Sequence, residues 1–499
     1  MRAYFLTPLF IVMSTSLWGQ VPDTLYRNLK NEYGIRNFVR SITKNPSLMS
    51  SWGSDSFSTV EAHYGKSENE AYAKQFPSGT EGFGVRAESF LEYKNGKRLW
   101  GSASYQNQKE KDLRWNESID RTLIYPYFTA DSIGGDMQTE RYAFSGGYLK
   151  HYKRFGWGAA LNYAAELASR NRDPRPKNIS SDLRIKAGGA LRDFYHLTLA
   201  LHGSFDKYTQ SNDIKFFSET GQPSVYHLNG LGYYNNLLKG NHLRGIYDGY
   251  GYGAGAQVVD QRSNWYLAVD YGHLQVEKYI PDENNVVAST LVNREWNAEI
   301  AKFFHKNSYA YGLKLSYSDR QKAGIEPLLS ARNSNGAEVL STHKNYTLKA
   351  ADYRLSLIFI SEGESQLLIS PYVSYQTLRE DYTLIESFEH FSYLAAGLHL
   401  SYTQAFQRKH YLCYTLDWLS RRTLSKEYLL RNDSQRSLSQ MLADNAQYLS
   451  SDEHRLTLGI EYNHRLHDNL SLFTRVGSAI ALFPKRVNYL HSLSIGIHF

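Results

Sequence analysis

Histidines and carboxylates are the residues of this 499-residue chain that could act as acids, bases or metal ligands. The 17 histidines are dispersed along the sequence, and Cys413 is its one cysteine. A single cysteine excludes an intrachain disulfide, a cysteine-based zinc site and an iron–sulfur cluster. Residues 251–256 (GYGAGA) match G-x-G-x-x-A, but they run on into an extended stretch and not into a helix. We therefore expect a glycine-rich strand there, and neither a cofactor nor a metal in the protein.

A second set of polar residues lies on one face of stretches whose other face is apolar. If these faces enclose water, their charges either pair across the interior or form a constriction that selects solutes by charge. Both alternatives stay open, because each requires charged side chains inside. The candidate interior residues are Glu166, His196, His202, Asp270, Lys314, Arg354, Asp417, Glu461 and Arg475.

The stretches that carry these residues alternate apolar and polar side chains with a period of two. In residues 487–499 (VNYLHSLSIGIHF) nearly every second side chain is apolar or aromatic, and residues 309–318 and 455–463 repeat the pattern. Successive side chains of a strand point to opposite faces, so these are strands with one apolar face. Many run for roughly 10–13 residues, and about 9–11 strand residues cross a bilayer. Apolar faces that start and end in aromatic residues, such as Tyr309 and Tyr317, match interfacial girdles.

The connections between the strands alternate in length, except for a final short one at 483–486. Short turns fall at 94–97, 152–156, 192–194, 260–264, 305–307, 362–366, 407–409 and 465–469. Longer segments fall at 66–81, 109–138, 168–182, 208–248, 280–290, 319–346, 378–390 and 422–450. This pattern predicts an all-β fold over residues 56–499: a transmembrane antiparallel β-barrel of about 18 strands (range 14–18), with short periplasmic turns and long extracellular loops. The mean hydropathy of −0.51 agrees with a wall that is apolar on one side only.

The N-terminus predicts export. Residues 1–19 have the three parts of a cleaved signal peptide: Arg2, an apolar stretch at 3–13 and a small-residue region at 14–19. About 11 apolar residues are too few for the roughly 20 of a spanning helix. Residues 20–55 form a separate segment, which is either a periplasmic N-terminal segment or a lumen plug. The net charge of +7 comes from interleaved acidic and basic residues, so we expect no nucleic-acid partner.

The chain resembles Gram-negative outer-membrane β-barrel proteins of the porin-like kind. The resemblance rests on the signal sequence, the alternating strands and the terminal SIGIHF, in which Ile495, Ile497 and Phe499 match the signal for barrel insertion. It implies localisation to the outer membrane, contact with outer-membrane lipid and insertion by the barrel-assembly machinery. The size and turn pattern also resemble uncharacterised barrels found beside TonB-dependent transporters. Asn45-Pro46 is similar to the start of fatty-acid-channel-type barrels, in which an N-terminal segment plugs the lumen.

The expected function is a channel or transport-related protein for small solutes, without enzymatic activity. The alternative is a barrel with a filled lumen that acts as an accessory subunit and docks a TonB-dependent transporter or a surface lipoprotein. A remote alternative is an outer-membrane hydrolase that uses His273 or His491 to activate a serine at the lipid-facing surface. The sequence places no serine beside either histidine.

Overall fold

The structure, a computed structural model, describes residues 44–52, 56–93, 95–218, 224–239, 244–260, 262–330, 338–361, 365–406, 409–431, 436–467 and 470–499. The strands of the main sheet are β1 (Phe57–Asn69), β2 (Gly79–Glu92), β3 (Lys97–Leu113), β5 (Gly135–His151), β6 (Phe155–Ser169), β7 (Arg175–Phe194), β8 (Leu197–Lys215), β11 (Arg244–Asp260), β12 (Trp265–Ile280), β13 (Val286–Lys306), β14 (Tyr309–Leu329), β15 (Val339–Ser361), β16 (Gln366–Tyr382), β17 (Ser387–Phe406), β18 (His410–Leu429), β19 (Glu453–His467), β20 (Leu470–Phe483) and β21 (Arg486–His498). The smaller elements are β4 (Thr129–Ala130), β9 (Tyr226–Gly230), β10 (Tyr233–Tyr234), α1 (Arg121–Ile124), α2 (Arg436–Leu449) and four 3₁₀ helices (Pro46–Trp52, Asn236–Leu238, Pro281–Glu283 and Thr383–Ile385).

The described residues form a closed antiparallel barrel, which confirms the predicted fold class and strand number. The main sheet has 18 strands, and β1 pairs with both β2 and β21. Each remaining barrel strand pairs with the next one along the chain, so no strand edge is left open. At the seam, the Phe499 amide donates to Ser58 O at 2.9 Å and the Ser58 amide donates to Phe499 O at 2.7 Å. None of the helices in the described ranges is long and apolar enough to span a membrane.

The outer face of the barrel carries an apolar band between two aromatic rows. In the row nearer the long connections, Tyr271 contacts Trp296 with ring centroids 4.6 Å apart, and Tyr317 contacts Tyr353 at 4.9 Å. At the short-turn end, Tyr309 stacks on a neighbouring phenylalanine. Tyr309 and Tyr317 lie about 26 Å apart along β14 at roughly 3.3 Å per residue. We take the strand parts between the two rows as the membrane-spanning segments.

Several connections that were expected to be long are short. Residues 170–174, 281–285 and 383–386 join β6 to β7, β12 to β13 and β16 to β17. The strands continue to pair beyond the aromatic row, where one side faces water and not lipid. The apolar alternation therefore fades before the hydrogen bonding ends, and the sequence pattern underestimates strand length there.

Four long connections fold together at the end of the barrel opposite the short turns. They are residues 70–78, 114–134 and 224–239 and helix α2, and we call them the mouth cap. Within the cap, β4, β9 and β10 form a three-stranded sheet. Its core includes Trp115, Phe128, Leu228 and Met441, all nearly inaccessible to solvent. Burial of this apolar surface favours the infolded position of the loops.

A short N-terminal piece lies against the inner wall near the short turns. The side chains of residues 45–49 are buried there, and the Asn45 amide nitrogen donates to Gln257 Oε1 at 3.0 Å. A Cβ atom at Gly158 would lie 2.6 Å from the Pro46 carbonyl carbon, and one at Gly188 would lie 2.2 Å from Asn45 Oδ1. Only glycine allows this close approach. Residues 1–43 and 53–55, which include the predicted signal peptide, lie outside the described residues.

Candidate functional site

Two lysines on barrel strands hold the mouth cap against the inner wall. Lys278 on β12 donates to the carbonyl oxygens of Tyr127 and Phe128 at 3.2 and 3.1 Å. Lys322 on β14 donates to the carbonyl oxygens of α1 and the residues after it, at 2.6, 3.3 and 3.1 Å. Both lysines are almost fully buried. Carbonyls at the end of a helical turn have no partner within the helix, so the side-chain nitrogen of Lys322 satisfies those of α1.

A buried ionic cluster fixes one edge of the cap. Arg170 Nη2 lies 2.8 Å from Glu117 Oε1 and 3.0 Å from Asp131 Oδ2, and all three side chains have no solvent exposure. Burial and the neighbouring Asp131 raise the pKa of Glu117 well above its ordinary value. Burial opposes the ionisation of Asp131, but Glu117 and Arg170 outweigh it and lower the pKa of that carboxyl. The cluster therefore contains a charged pair, Arg170 and Asp131, next to a carboxyl that tends to keep its proton.

A cavity of about 260 Å³ separates the cap from the wall formed by β14–β17. Its lining is mainly apolar and aromatic and includes Phe76, Tyr125, Phe128, Leu231 and Met441. We call this cavity the chamber. Enclosed apolar pockets with a few polar groups are the usual form of small-ligand sites in proteins.

Two glutamates face each other in the wall of the chamber. Glu380 on β16 and Glu389 on β17 are direct cross-strand partners, and each is 3% exposed. They lie five residues beyond Tyr375 and its partner Leu394, outside the membrane-spanning segments. Glu380 accepts a hydrogen bond from the Tyr125 hydroxyl at 2.6 Å. Glu389 has no hydrogen-bond or ion-pair partner in the described part of the chain. Burial and Glu380 raise the pKa of the Glu389 carboxyl.

A polar niche of about 360 Å³ continues from the chamber toward the lumen and shares Arg320 with it. Arg320 Nε donates to Glu295 at 2.7 Å. Asp352 accepts from Gln376 at 3.2 Å and from the candidate interior residue Arg354 at 3.3 Å. A small solute in the chamber would therefore lie between an apolar cap and a hydrated, charged wall.

Most of the other candidate interior residues lie on the barrel strands beside a residue of opposite charge. Arg141 donates to Glu166 at 2.8 Å, and Lys314 Nζ lies 3.9 Å from a carboxylate oxygen of Glu299. His399 Nδ1 lies 2.6 Å from Asp417. In the Arg141–Glu166 and Lys314–Glu299 pairs, the opposite charges lie next to each other on the wall and largely cancel there.

Arg475 and His202 link strands near the short turns. Arg475 Nε donates to Glu461 at 2.7 Å. His202 Nε2 lies 3.2 Å from Asp270, and its Nδ1 lies 3.3 Å from the side-chain nitrogen of Gln257. The side-chain oxygen of Gln257 accepts a hydrogen bond from Asn45. The contacts among Asn45, Gln257, His202 and Asp270 connect the N-terminal piece to β8, β11 and β12.

His196 lies outside the strands, contrary to the expectation that it shares a strand face with His202. Tyr195 and His196 have φ angles of 49° and 72° and form the exposed turn before β8. A backbone in the left-handed region cannot continue a strand, so the alternation begins only at Leu197.

The glycine-rich stretch 251–256 lies inside β11, which pairs along its length with β8 and β12. No helix follows it within the described residues, and β12 begins after a short turn. The stretch therefore has the strand structure that the sequence predicts and lacks the geometry of a dinucleotide site.

The structure places a serine beside one of the two lipid-facing histidines. Ser478 and His491 are cross-strand partners, with Oγ and Nδ1 3.1 Å apart. Within the described residues, His491 has no acidic hydrogen-bond partner to orient its ring, as a hydrolytic triad requires. His273 stacks on Tyr252 at 4.8 Å instead. Neither histidine has the surroundings of a hydrolase site.

The terminal residues lie at the barrel seam. Ile495 and Ile497 on β21 pair with Ala62 and Val60 of β1, and Ile495 and Phe499 are about half exposed on the outer surface. These positions put the apolar side chains where lipid would surround the closing strand.

The sequence analysis missed the residues that hold the cap and face the chamber: Arg170, Lys278, Lys322, Glu380 and Glu389. One signal was available for the glutamates. They lie at equal distances from the centre of the 383–386 connection, so a hairpin there places them opposite each other. Reading that signal requires the true length of the connection.

Comparison with known proteins gives the following matches. No curated protein matches the sequence. Similar solved structures include a variant of the ferric enterobactin receptor PfeA from Pseudomonas aeruginosa, with 7% identity, a TM-score of 0.38 and coverage of 89% of this chain and 81% of that one. The ferric preacinetobactin receptor BauA from Acinetobacter baumannii has 8% identity, a TM-score of 0.39 and coverage of 89% and 80%. The ferric-catecholate import receptor Fiu from E. coli K12 has 6% identity, a TM-score of 0.38 and coverage of 89% and 81%. At residues 46–499 the sequence matches a family of unknown function, and the chain, an outer-membrane-type β-barrel, belongs to that family, DUF6850.

Proposed function

We propose that the protein is a gated transport barrel for small solutes in the outer membrane of a Gram-negative bacterium. It reaches that membrane after cleavage of the signal at residues 1–19. The mouth cap is the gate, and the chamber behind it receives the solute.

The observation that carries this proposal is the mouth cap itself. It joins the wall through buried polar contacts, such as those of the Lys278 side-chain nitrogen with two backbone carbonyls, and not through an apolar core alone. Buried polar contacts of this kind favour one closed arrangement, because partial opening leaves buried hydrogen-bonding groups without partners. Behind the cap, the niche and the charged wall provide a hydrated route. A closed mouth over a polar lumen is the arrangement of a gate and not of an open pore.

Single-channel recording in planar bilayers tests the proposal. We expect the wild-type protein to be silent and the Lys278→Met variant, which loses both hydrogen bonds from β12 to the cap, to conduct in steps. Arg262→Met, a substitution in the turn between β11 and β12 far from the cap, is the control and should stay silent. A folded Lys278→Met barrel that never conducts would refute the gate, and so would steady conduction by the wild type.

For the ends of the chain we propose two further roles. The predicted plug includes residues 45–49, whose side chains are buried near the short turns, at the periplasmic end of the lumen. Ile495, Ile497 and Phe499 form the signal that the barrel-assembly machinery reads. Gel mobility before and after boiling, measured on membranes from cells that express a Phe499 variant, tests the second role.

The second candidate function is an accessory subunit that docks a TonB-dependent transporter or a surface lipoprotein. Two exposed leucines favour the accessory function. Leu328 and Leu340 lie where β14 and β15 continue as a two-stranded extension beyond the aromatic row, and they are 55% and 63% exposed. Clustered exposed apolar residues on such an extension are typical of surfaces that contact another protein. Mild-detergent purification with mass spectrometry tests this function, and a protein that always purifies alone would contradict it.

A further inference from the structure

We propose that the chamber binds a small organic cation, an ammonium group on a compact apolar body, and that Glu389 is its counter-ion. This inference rests on the proposed transport function, whose solute class it specifies.

The two opposed glutamates of the chamber differ in their contacts. Glu389 is 3% exposed, lines the chamber and has no hydrogen-bond or ion-pair partner among the described residues. Glu380, in contrast, accepts a hydrogen bond from the Tyr125 hydroxyl. Like charges directly opposite on neighbouring strands destabilise a sheet, and a buried carboxylate without a partner costs several kcal/mol in general. A pair of this kind is stable without a ligand only if it retains a proton. A bound ammonium would replace that proton and satisfy both carboxylates.

The positive side chains around the chamber are already bound to other groups. Lys322 donates to three backbone carbonyls. Arg121 donates a hydrogen bond to Glu110 at 3.1 Å, and Arg320 donates one to Glu295 at 2.7 Å. Movement of any of them toward Glu389 would break these contacts. None of the positive side chains that line the chamber therefore forms an ion pair with Glu389 in the described part of the chain.

The rest of the lining suits the remainder of such a ligand. Phe76, Tyr125 and Phe128 present aromatic rings, which attract cations as well as apolar groups. Leu231 and Met441 add aliphatic surface. The volume of about 260 Å³ suits a compact molecule and not a long chain or a peptide.

Isothermal titration calorimetry on the full barrel in lipid nanodiscs tests the proposal with three probes of one shape: cyclohexylammonium, cyclohexanol and cyclohexanecarboxylate. We expect saturable binding of cyclohexylammonium alone. In Glu389→Gln its Kd should rise about tenfold to a hundredfold, the usual worth of a hydrogen bond to a charged group. This variant should fold, because it removes a like-charge contact and keeps the side-chain shape.

Glu386→Gln is the matched control, since Glu386 lies in the connection between the same two strands but is 72% exposed and pairs with Arg431. Its Kd should stay within about twofold of the wild-type value, as is usual for surface substitutions. Equal binding of cyclohexanol or cyclohexanecarboxylate, unchanged affinity in Glu389→Gln, or no saturable binding of cyclohexylammonium would overturn the proposal. The gate is tested separately, because conduction by Lys278→Met does not depend on the chamber ligand.

Discussion

Replacing Arg170 with methionine should open the mouth cap while leaving the barrel closed. Arg170 is the one cation of a cluster whose three side chains are inaccessible to solvent, and its Nη2 atom lies 2.8 and 3.0 Å from Glu117 and Asp131. Its Nε atom also donates to Pro174 O at 2.9 Å. Methionine keeps most of the volume but leaves a buried carboxylate and a carbonyl without a partner.

Removal of one partner from a buried ion pair typically costs about 3–5 kcal/mol. At about 1.36 kcal/mol per factor of ten, the equilibrium for cap opening should rise roughly 150- to 5000-fold. The barrel strands should not change, because their pairing does not depend on the cluster. The change therefore separates local opening from global unfolding.

Hydrogen exchange in nanodiscs measures this equilibrium at two cap amides. The amide of Trp115 donates to Asp131 O at 2.9 Å, and that of Glu117 donates to Thr129 O at 2.7 Å. Both should lose protection by the factor given above. Arg172→Met is the control, because this exposed side chain lies in the same connection. A loss of less than about fivefold in the variant would mean that the cluster contributes little, and the reasoning would be wrong.

Three other substitutions test the pH dependence of the cap, the barrel seam and the N-terminal piece. Because the folded pKa of Glu117 lies above its ordinary value of 4.5, its contribution to cap stability is complete below pH 4.5 and is lost as pH rises through the raised pKa. Glu117→Gln should make the change of tryptophan fluorescence with rising pH smaller than in the wild type, and an equal change in both proteins would contradict the assignment. Phe499→Ala keeps the backbone hydrogen bonds to Ser58 but removes the terminal aromatic ring. The yield of heat-modifiable barrel in membranes should therefore fall severalfold, while the melting temperature of the inserted fraction stays constant. An unchanged yield would exclude Phe499 from the insertion signal. Asn45→Ala removes the hydrogen bond from Asn45 to buried Gln257 at a cost of about 1–3 kcal/mol, so protease cleavage near residue 44 should accelerate about tenfold. An unchanged rate would show that Asn45 does not anchor the piece.

The barrel can be predicted from the sequence alone. Side-chain alternation is a local property of each strand, so residues such as those of β21 show their lipid-facing side without knowledge of their partners. The short turns are local as well, since each must reverse the chain within a few residues. The strand number of 18 follows from counting both features.

The segments that fill the barrel could not be predicted from the sequence. The alternation does not indicate that residues 114–134 and helix α2 fold inward, because that depends on contacts between segments hundreds of residues apart, such as Gln75 with Asn445. Cross-strand neighbours such as Ser478 and His491, or Glu380 and Glu389, depend on register, which a shift of one residue would change completely. The wall of this protein is therefore set by local pattern, and its gate and chamber are set by long-range packing.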